Sequence, residues 1–280
     1  MERSSPADAR ATLNARAADL ERIRSALGEA LKALEALQRG GVWVGRKAGG
    51  DVMTAADHAL NETLRQALPR AGEGWLSEET ADDPVRLERG RVWVVDPLDG
   101  TQEFVAGIPE WCVSIGLVED GQPVAGGLCN PATGELFLGS AEAGVTLNGR
   151  PVRARERRDL RGAEVLASRS EVRRGEWDNG DAPFRVRPVG SVAYKLVLVA
   201  AGLTDATWTL SPKHEWDVAG GVALVLAAGG EIRTLSWEAP TFNRPNPWLS
   251  GLVATSAGLG EAVRGYLDRR AGRAGVPSPR

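Results

Sequence analysis

The amino-acid sequence predicts a mixed α/β fold, and three patterns along the 280 residues lead to it. Apolar residues from about Ala9 to Gln38 recur at three- and four-residue steps, which indicates one long amphipathic helix. Strand-length segments between residues 113 and 140 are separated by turn-forming residues, which predicts an antiparallel meander. Beyond residue 164, strand and helix patterns alternate, as is typical of an α/β unit.

A basic stretch with little apolar content lies between the meander and the alternating segment. It contains Arg150, Arg153, Arg155, Arg157, Arg158 and Arg161. We interpret it as a linker between two domains, residues 1–158 and residues 159–280. Solvation is the simpler role for these arginines, although one near a metal site could also contact a phosphate. The Arg-, Gly- and Pro-rich tail, residues 268–280, is expected to be disordered.

Composition excludes several classes of protein. Hydrophobic residues make up 42% and charged residues 25%, which is ordinary for a globular protein with its own core. The net charge of −3 argues against binding to a nucleic-acid polymer, because neutralising phosphates requires a cationic face. There is no run of about 18 apolar residues and no signal-like N-terminus, so we expect a cytoplasmic protein without membrane contact. Cys112 and Cys129 lie in apolar segments and are predicted to be buried thiols.

The most informative stretch is an apolar run that ends at two carboxylates. Asp96 and Asp99 flank Pro97, which restricts the backbone so that both acids can approach one point. Gly100 and Thr101 then suit a helix start whose free main-chain N–H groups meet an anion. Acids for cations beside amides for an anion indicate metal-assisted phosphoryl chemistry. The simpler alternative is that Asp99 only caps a helix.

Other acids follow predicted strands or open predicted helices. Glu78 and Glu79 come at a strand end, and Asp217 opens a helix. Separated acids beside apolar elements suggest one carboxylate cage for hard cations. Asp57 lies in the first turn of the predicted second helix, where an acid can stabilise the helix dipole as well as serve catalysis, so its role stays open.

Two other chemistries find no support. His58 and His214 are the only histidines, and neither lies near a nucleophile motif, which argues against a serine hydrolase. The chain also has no Walker-type phosphate loop and no dinucleotide-binding glycine fingerprint.

Taken in order, four motifs resemble the signature of the lithium-sensitive, Mg²⁺-dependent inositol monophosphatase superfamily. They are Asp57, Glu78-Glu79, Asp96-Pro97-Leu98-Asp99-Gly100-Thr101 and Trp216-Asp217. The resemblance covers essentially the whole chain after the first helix. It implies a layered α-β-α-β-α sandwich, with an antiparallel-sheet domain followed by an α/β domain that contributes Asp217. Gly220 stands where the family most often has alanine, which we interpret as a packing change.

The resemblance also implies a site. Two or three Mg²⁺ ions would be held by Glu78, Asp96, Asp99, Asp217 and the Leu98 carbonyl. Thr101 and Glu78 would position and deprotonate a water nucleophile with the support of Asp57, and the amides of Gly100 and Thr101 would hold the phosphate. Lys213 and Ser191 are further predicted contacts to a small phosphorylated substrate. The oligomeric state stays open, with a homodimer as one expectation.

The substrate is the least determined part. Gln102-Glu103-Phe104 resembles the CysQ branch of 3′(2′),5′-bisphosphate nucleotidases, and Leu210 stands where inositol phosphatases tend to have a glutamate. We therefore predict removal of the 3′-phosphate from adenosine 3′,5′-bisphosphate, with Trp208 facing adenine and Lys213 binding the second phosphate. An inositol-1-monophosphatase or broader sugar phosphatase is the alternative, because Gly107-Ile108-Pro109 resembles those enzymes as well. A non-catalytic metal-binding protein is a distant third.

Overall fold

A computed structural model of the chain describes residues 6–40, 44–46, 52–177 and 182–273. The helices are α1 (Pro6–Gly40), α2 (Ala55–Ala67), α3 (Thr101–Val105), α4 (Arg169–Arg173), α5 (Val192–Ala200), α6 (Glu215–Ala227) and α7 (Gly260–Arg273). The strands are β1 (Val44–Arg46), β2 (Val52–Thr54), β3 (Gly74–Ser77), β4 (Arg91–Asp99), β5 (Cys112–Glu119), β6 (Gln122–Asn130), β7 (Glu135–Ser140), β8 (Gly144–Leu147), β9 (Arg150–Val152), β10 (Glu164–Ser168), β11 (Arg185–Val189), β12 (Ala206–Thr209), β13 (Lys213–His214), β14 (Glu231–Thr234), β15 (Trp248–Leu249) and β16 (Leu252–Thr255).

Two large sheets organise these strands. The first has seven strands in the order β3-β4-β5-β6-β7-β8-β9, and only its β3-β4 pair is parallel. The second has five strands in the order β11-β10-β12-β16-β14, in which β10 is parallel to both of its neighbours. The predicted meander is thus confirmed as β5 to β7, and β8 and β9 extend it beyond the prediction.

Strand β4 shows how the first sheet is covered on both faces. Its Trp93 and Val95 pack in one hydrophobic cluster with α1 and α2. Its Val92 and Val94 belong to another cluster, which contains α5 and α6. Successive side chains of a strand point to opposite faces, so a run that is apolar at every position must be buried on both sides.

Helices α5 and α6 lie between the two sheets. The cluster that joins them to the first sheet also contains Leu166 of β10 and Ala254 of β16. The outer face of the second sheet packs against α7, where Trp208 and Val253 share a cluster with Val263. The order of layers is therefore α-β-α-β-α, which confirms the fold class expected from the family resemblance.

Helix α6 approaches the first sheet unusually closely, because glycines face each other across the contact. A Cβ atom on Gly220 would lie 2.7 Å from the Ile115 carbonyl oxygen, and one on Gly126 would lie 2.4 Å from the Gly220 carbonyl oxygen. Neither distance is open to a real Cβ atom. Because these glycines have no side chains, α6 can pack close to the sheet. The first turn of α6, which contains Asp217, therefore lies near the end of β4.

Largely buried ion pairs attach α1 to β5 and to the turn before β3. Arg16 pairs with Glu119 of β5, and Arg22 pairs with Glu73 at 2.7 Å. The indole Nε1 of Trp93 donates to Glu73 at 2.8 Å, which satisfies the polar edge of an otherwise buried ring. The long amphipathic helix predicted from the sequence is therefore fixed by charge as well as by its apolar stripe.

Two predictions about the basic segments need correction. Arg150 is not part of a linker, because it begins the edge strand β9. The tail is not disordered at its start, since α7 continues to Arg273; residues 274–280 lie outside the described residues. In the connecting segment Arg155 pairs with Asp205 at 3.3 Å. The predicted domain boundary falls in this segment, between β9 and β10, and stays a prediction.

The prediction of two buried thiols is confirmed. Cys112 and Cys129 are buried free thiols. Within the described residues, no helix has the length and apolar character needed to cross a membrane.

Candidate active site

One cleft, where the first sheet meets α3, α5 and α6, collects most of the predicted site residues. Its wall includes Glu78, Asp96, Leu98, Asp99, Gly100, Thr101, Ser191, Lys213 and Asp217. These residues come from four separate parts of the chain, so the cleft is created by tertiary packing.

The end of β4 delivers the central acids. Pairing with β5 shifts register between Asp96 and Asp99, so Pro97 and Leu98 interrupt the ladder before it resumes at Asp99. The carboxylate of Asp96 accepts the main-chain N–H of Leu98 at 3.0 Å. Gly100 follows with a φ of 98°, a conformation that glycine adopts without strain, and α3 begins at the next residue.

Two more acids reach the cleft from other elements. Glu78 directly follows the last residue of β3, the parallel neighbour of β4. Asp217 is the third residue of α6, and its Oδ2 accepts the main-chain N–H of His214 at 2.9 Å. This bond caps the helix and fixes the orientation of the carboxylate.

Asp57 stands behind Thr101. The Thr101 hydroxyl oxygen lies 3.4 Å from Asp57 Oδ1 and 3.1 Å from the Leu98 carbonyl oxygen. Asp57 is buried in the first turn of α2. Both roles that the sequence left open are therefore compatible with its position, because the acid lies in a helix start and also beside a site residue.

Asp99 is held from the second half of the chain. Its Oδ2 accepts the Ser191 hydroxyl and the main-chain N–H of Ala193, each at 2.6 Å. The Cys112 sulfur lies 3.5 Å from the same Ser191 hydroxyl oxygen. Ser191, predicted as a substrate contact, thus lines the cleft and supports a carboxylate at once.

Crowding of the carboxylates shows in their protonation. The pKa of Asp96 lies well above its usual range because of burial first and then the charges of Glu78 and Asp99. Burial, followed by the charge of Asp99, raises the pKa of Asp217 to about 8. A bound cation would lower these raised pKa values, because a nearby positive charge stabilises the ionised form of a carboxylate.

The donor chemistry fits a hard cation. All of the candidate ligands are oxygens, four carboxylates and one carbonyl, which is the set preferred by Mg²⁺. Across the described ranges, no three His, Cys, Asp or Glu side chains have the spacing of a formed metal shell. Main-chain and hydroxyl donors hold three of the carboxylates instead, those of Asp96, Asp99 and Asp217.

Two cations line the same cleft, and the sequence predicted only one of them. Arg173 of α4 and Lys213 of β13 both line it, together with Ser168 and Ser170. No carboxylate in the described part of the chain forms an ion pair with either cation. Arg173 was not anticipated, because the five-residue helix that carries it has no periodicity that a sequence pattern could show.

Glu103 also lines the cleft and was predicted only as a branch marker. A Cβ atom on Gly190 would lie 2.4 Å from the Cγ atom of Glu103, so these residues touch across the two halves. Burial raises the pKa of Glu103 above its ordinary value.

The predicted role of Trp208 is wrong. Its side chain is 1% exposed and stacks on Trp177, with ring centroids 5.0 Å apart, on the outer face of the second sheet. It cannot reach an adenine in the cleft. Leu210 is 39% exposed and does not line this cleft.

Comparison with known proteins defines the class. The sequence model of the Inositol monophosphatase family matches residues 12–268. The chain therefore belongs to this family, as its motifs indicated, and it is a phosphatase of a family that generally depends on Mg²⁺.

Individual relatives carry different names. The chain is 35% identical to an inositol-1-monophosphatase of Mesorhizobium japonicum over 199 residues, which cover 68% of this chain and 74% of that protein. It is 34% identical to the Nus factor SuhB of Xylella fastidiosa over 223 residues, which cover 76% and 79%. The crystal structure of CysQ from Bacteroides thetaiotaomicron superposes with a TM-score of 0.71 at 24% identity, over 85% of this chain and 97% of that one, which shows a common fold.

Proposed function

We propose that this phosphatase hydrolyses a small phosphomonoester with an activated water as the nucleophile. The observation that carries the proposal is the convergence of four acids on one cleft beside the Gly100-Thr101 turn: one directly after β3, two in β4 and one in α6. Glu78, Asp96, Asp99, Asp217 and the Leu98 carbonyl would hold Mg²⁺. When bound, Mg²⁺ supplies Lewis acidity that makes a water more acidic and offsets charge on the phosphate.

The chain's own groups would handle the proton and the phosphate. The Thr101 hydroxyl can direct its proton to Asp57 or to the Leu98 carbonyl oxygen, and in both cases its oxygen is left as an acceptor that would orient a water. Glu78 is the exposed carboxylate at the edge of the cleft, and it would take the proton from this water. The main-chain amides of Gly100 and Thr101 would hold the phosphate.

We further propose that the preferred substrate carries a second anionic group, as adenosine 3′,5′-bisphosphate does. Arg173 and Lys213 support this choice, because both line the cleft and neither forms a close ion pair among the described residues. The charge of Lys213 acts on Asp99 and Asp217 only at longer range. Removal of the 3′-phosphate would leave the other phosphate near these cations. Stacking on Trp208 is no longer part of the proposal, so recognition would rest on charge.

Inositol 1-phosphate is the second candidate. It is favoured by the 35% identical relative named as an inositol-1-monophosphatase. A ring bearing hydroxyl groups would need acceptors, and Glu103 is the carboxylate in the cleft that lies outside the predicted metal ligands. Inositol 1-phosphate has a single phosphate, so it offers no second anionic group for Arg173 and Lys213 to bind.

Phosphate release measured with Mg²⁺ compares the candidates on one preparation. We expect a higher kcat/KM for adenosine 3′,5′-bisphosphate than for inositol 1-phosphate. Arg173→Ala and Lys213→Ala should each lower the value for the bisphosphate by about tenfold or more, because hydrogen bonds to charged groups contribute about 1.5–3 kcal/mol. Arg174→Ala is the matched control, since Arg174 is exposed, pairs with Glu176 and does not line the cleft.

Each result bears on a different part of the proposal. A tenfold or greater preference for the inositol ester, or nucleotide turnover unchanged in both variants, would overturn the second-anion site. The absence of phosphate release from every ester would favour a non-catalytic metal-binding protein.

Location and assembly complete the proposal. We expect a cytoplasmic enzyme, in line with the sequence pattern, and a homodimer. Light scattering behind size-exclusion chromatography would give the mass in solution, and a monomer mass would contradict the second expectation.

A further inference from the structure

Helix α5 carries a lysine that is almost completely enclosed. The Lys195 side chain is 2% exposed, and its Nζ donates to the carbonyl oxygens of Ser191 at 3.0 Å and Val189 at 3.5 Å. Burial, the largest influence, lowers the pKa of Lys195 to about 8. An enclosed ammonium group is costly unless it is hydrogen-bonded, and these two carbonyl oxygens provide such bonds for Lys195.

The group held by Lys195 is the turn between β11 and α5. Ser191 has a φ of 54°, a strained conformation that residues with side chains rarely adopt. The main-chain N–H of Gly190 donates to Glu110 at 2.8 Å, which restrains the turn from the opposite side. The turn is thus strained and held by both halves of the chain.

The same turn holds Asp99. The Ser191 hydroxyl and the main-chain N–H of Ala193 both donate to Asp99 Oδ2. The Ser191 hydroxyl oxygen also accepts the N–H of Tyr194 at 2.9 Å, so its proton is left for Asp99. One carboxylate oxygen is fixed by two short bonds, and the orientation of the other oxygen follows from them.

We propose that Lys195 is a positioning residue for the cation site: its ammonium group holds the strained Ser191 turn, and the turn holds the Asp99 carboxylate. This inference rests on the proposed function, in which Asp99 binds Mg²⁺. It gives Lys195 no contact with the substrate. Its contribution is the fixed direction in which Asp99 faces the cleft, in addition to its positive charge, which counteracts the burial that raises the pKa of Asp99.

The contacts from Lys195 to the Ser191 turn and from the turn to Asp99 predict that loss of the lysine weakens metal binding. Without the ammonium group, the carbonyl oxygens of Val189 and Ser191 lose their charged donor, and the turn can relax toward an unstrained φ. The two donors to Asp99 then move with it. Groups that orient metal ligands in this indirect way typically account for about 10- to 100-fold in metal affinity.

Binding of Mn²⁺ without substrate tests this inference. Mn²⁺ suits the same oxygen donors as Mg²⁺, and its free concentration is measured directly by electron paramagnetic resonance. We expect Lys195→Met to bind Mn²⁺ about tenfold or more weakly than the wild type. Lys195→Gln keeps a hydrogen-bond donor of shorter reach, so its Mn²⁺ affinity should lie between those of Lys195→Met and the wild type. Measuring both variants keeps the test valid if one of them does not fold.

Thermal melting separates positioning from stability. Methionine replaces a buried charge with an apolar chain of similar length, so Lys195→Met should melt no lower than the wild type in EDTA. Val199→Ala on the same helix is the matched control: it removes buried methyl groups from α5, should lower the melting temperature, and should keep the Mn²⁺ affinity.

A double-mutant comparison tests the route. In a Ser191→Ala background only the Ala193 N–H still links the turn to Asp99, so Lys195→Met should weaken Mn²⁺ binding less than in the wild type. Wild-type affinity in both Lys195 variants would overturn the positioning role and leave the proposed function standing. A wild-type protein that binds no Mn²⁺ would overturn both.

Discussion

Gly220 of α6 faces the carbonyl oxygen of Ile115 so closely that a Cβ atom at this position would lie 2.7 Å from it. The same Cβ atom would also lie 2.9 Å from the Ser114 hydroxyl oxygen. Asp217 lies three residues before Gly220 on the same helix. The distance between helix and sheet therefore also determines where this acid meets Asp96.

Gly220→Ala tests this coupling. The added methyl group must push α6 away from β5, and we expect a loss of about 1–3 kcal/mol in the free energy of unfolding, as for other overpacked contacts. Mg²⁺ activation should require more metal, because Asp217 moves with the helix. Gly28→Ala is the control: a Cβ there would meet nothing within 4 Å, and the change should gain about 0.5–1 kcal/mol on α1. Equal stability of both variants would contradict the coupling.

Loss of one acid from α6 should disable the enzyme without unfolding it. Asp217→Asn is expected to lower turnover by about a hundredfold or more, because even residues that only orient metal ligands account for about 10- to 100-fold. Removal of a carboxylate whose pKa is raised by burial and by Asp99 relieves repulsion, so the melting temperature in EDTA should not fall. Phosphate-release kinetics and thermal melting measure the two effects.

EDTA should reproduce the kinetic effect in the wild type, and added Mg²⁺ should reverse it. Asp268→Asn, an exposed change on α7, serves as the matched control and should leave both readouts unchanged. Turnover that survives EDTA and Asp217→Asn alike would exclude the metal-assisted mechanism.

Lithium is expected to inhibit, as in the superfamily that the motifs resemble. A cage of carboxylates can accept a small hard cation in place of Mg²⁺. The rate at limiting Mg²⁺ should fall with millimolar-range LiCl and stay constant in matched NaCl. An unaffected rate would show that the cleft differs from the family geometry.

Acid should weaken the attachment of α1 to the first sheet. The hydrogen bond from Arg16 holds the pKa of Glu119 below its ordinary value of 4.5. A carboxylate with a lowered folded-state pKa stabilises the fold above the unfolded-state pKa, and this contribution is lost as pH falls below that value. Urea unfolding at about pH 7 and about pH 3.5 should show a smaller difference for Glu119→Gln than for the wild type. An identical difference would assign the acid sensitivity to other groups.

The sequence was most informative where chemistry is local. Asp96 and Asp99 could be placed in one site because a buried strand, a proline and a turn follow each other directly. Trp208 could not be assigned to a face, because a strand buried on both sides has no alternation to distinguish them. Arg150 was missed as a strand residue because a short edge strand needs few apolar side chains. The support of Asp99 by Ser191 depends on packing between distant segments, which no local pattern contains.

The Cys112 thiol lies 3.5 Å from the Ser191 hydroxyl oxygen, so its rate of alkylation can be used to measure opening of this turn. Burial raises the pKa of Cys112 well above its usual value, so the thiolate that alkylating reagents attack is scarce while the site is closed. Cys129, buried in the hydrophobic cluster of α1 and α2, provides an internal reference. The ratio of labelling rates at the two cysteines then reports how often the turn opens, and a bound divalent cation should slow Cys112 alone.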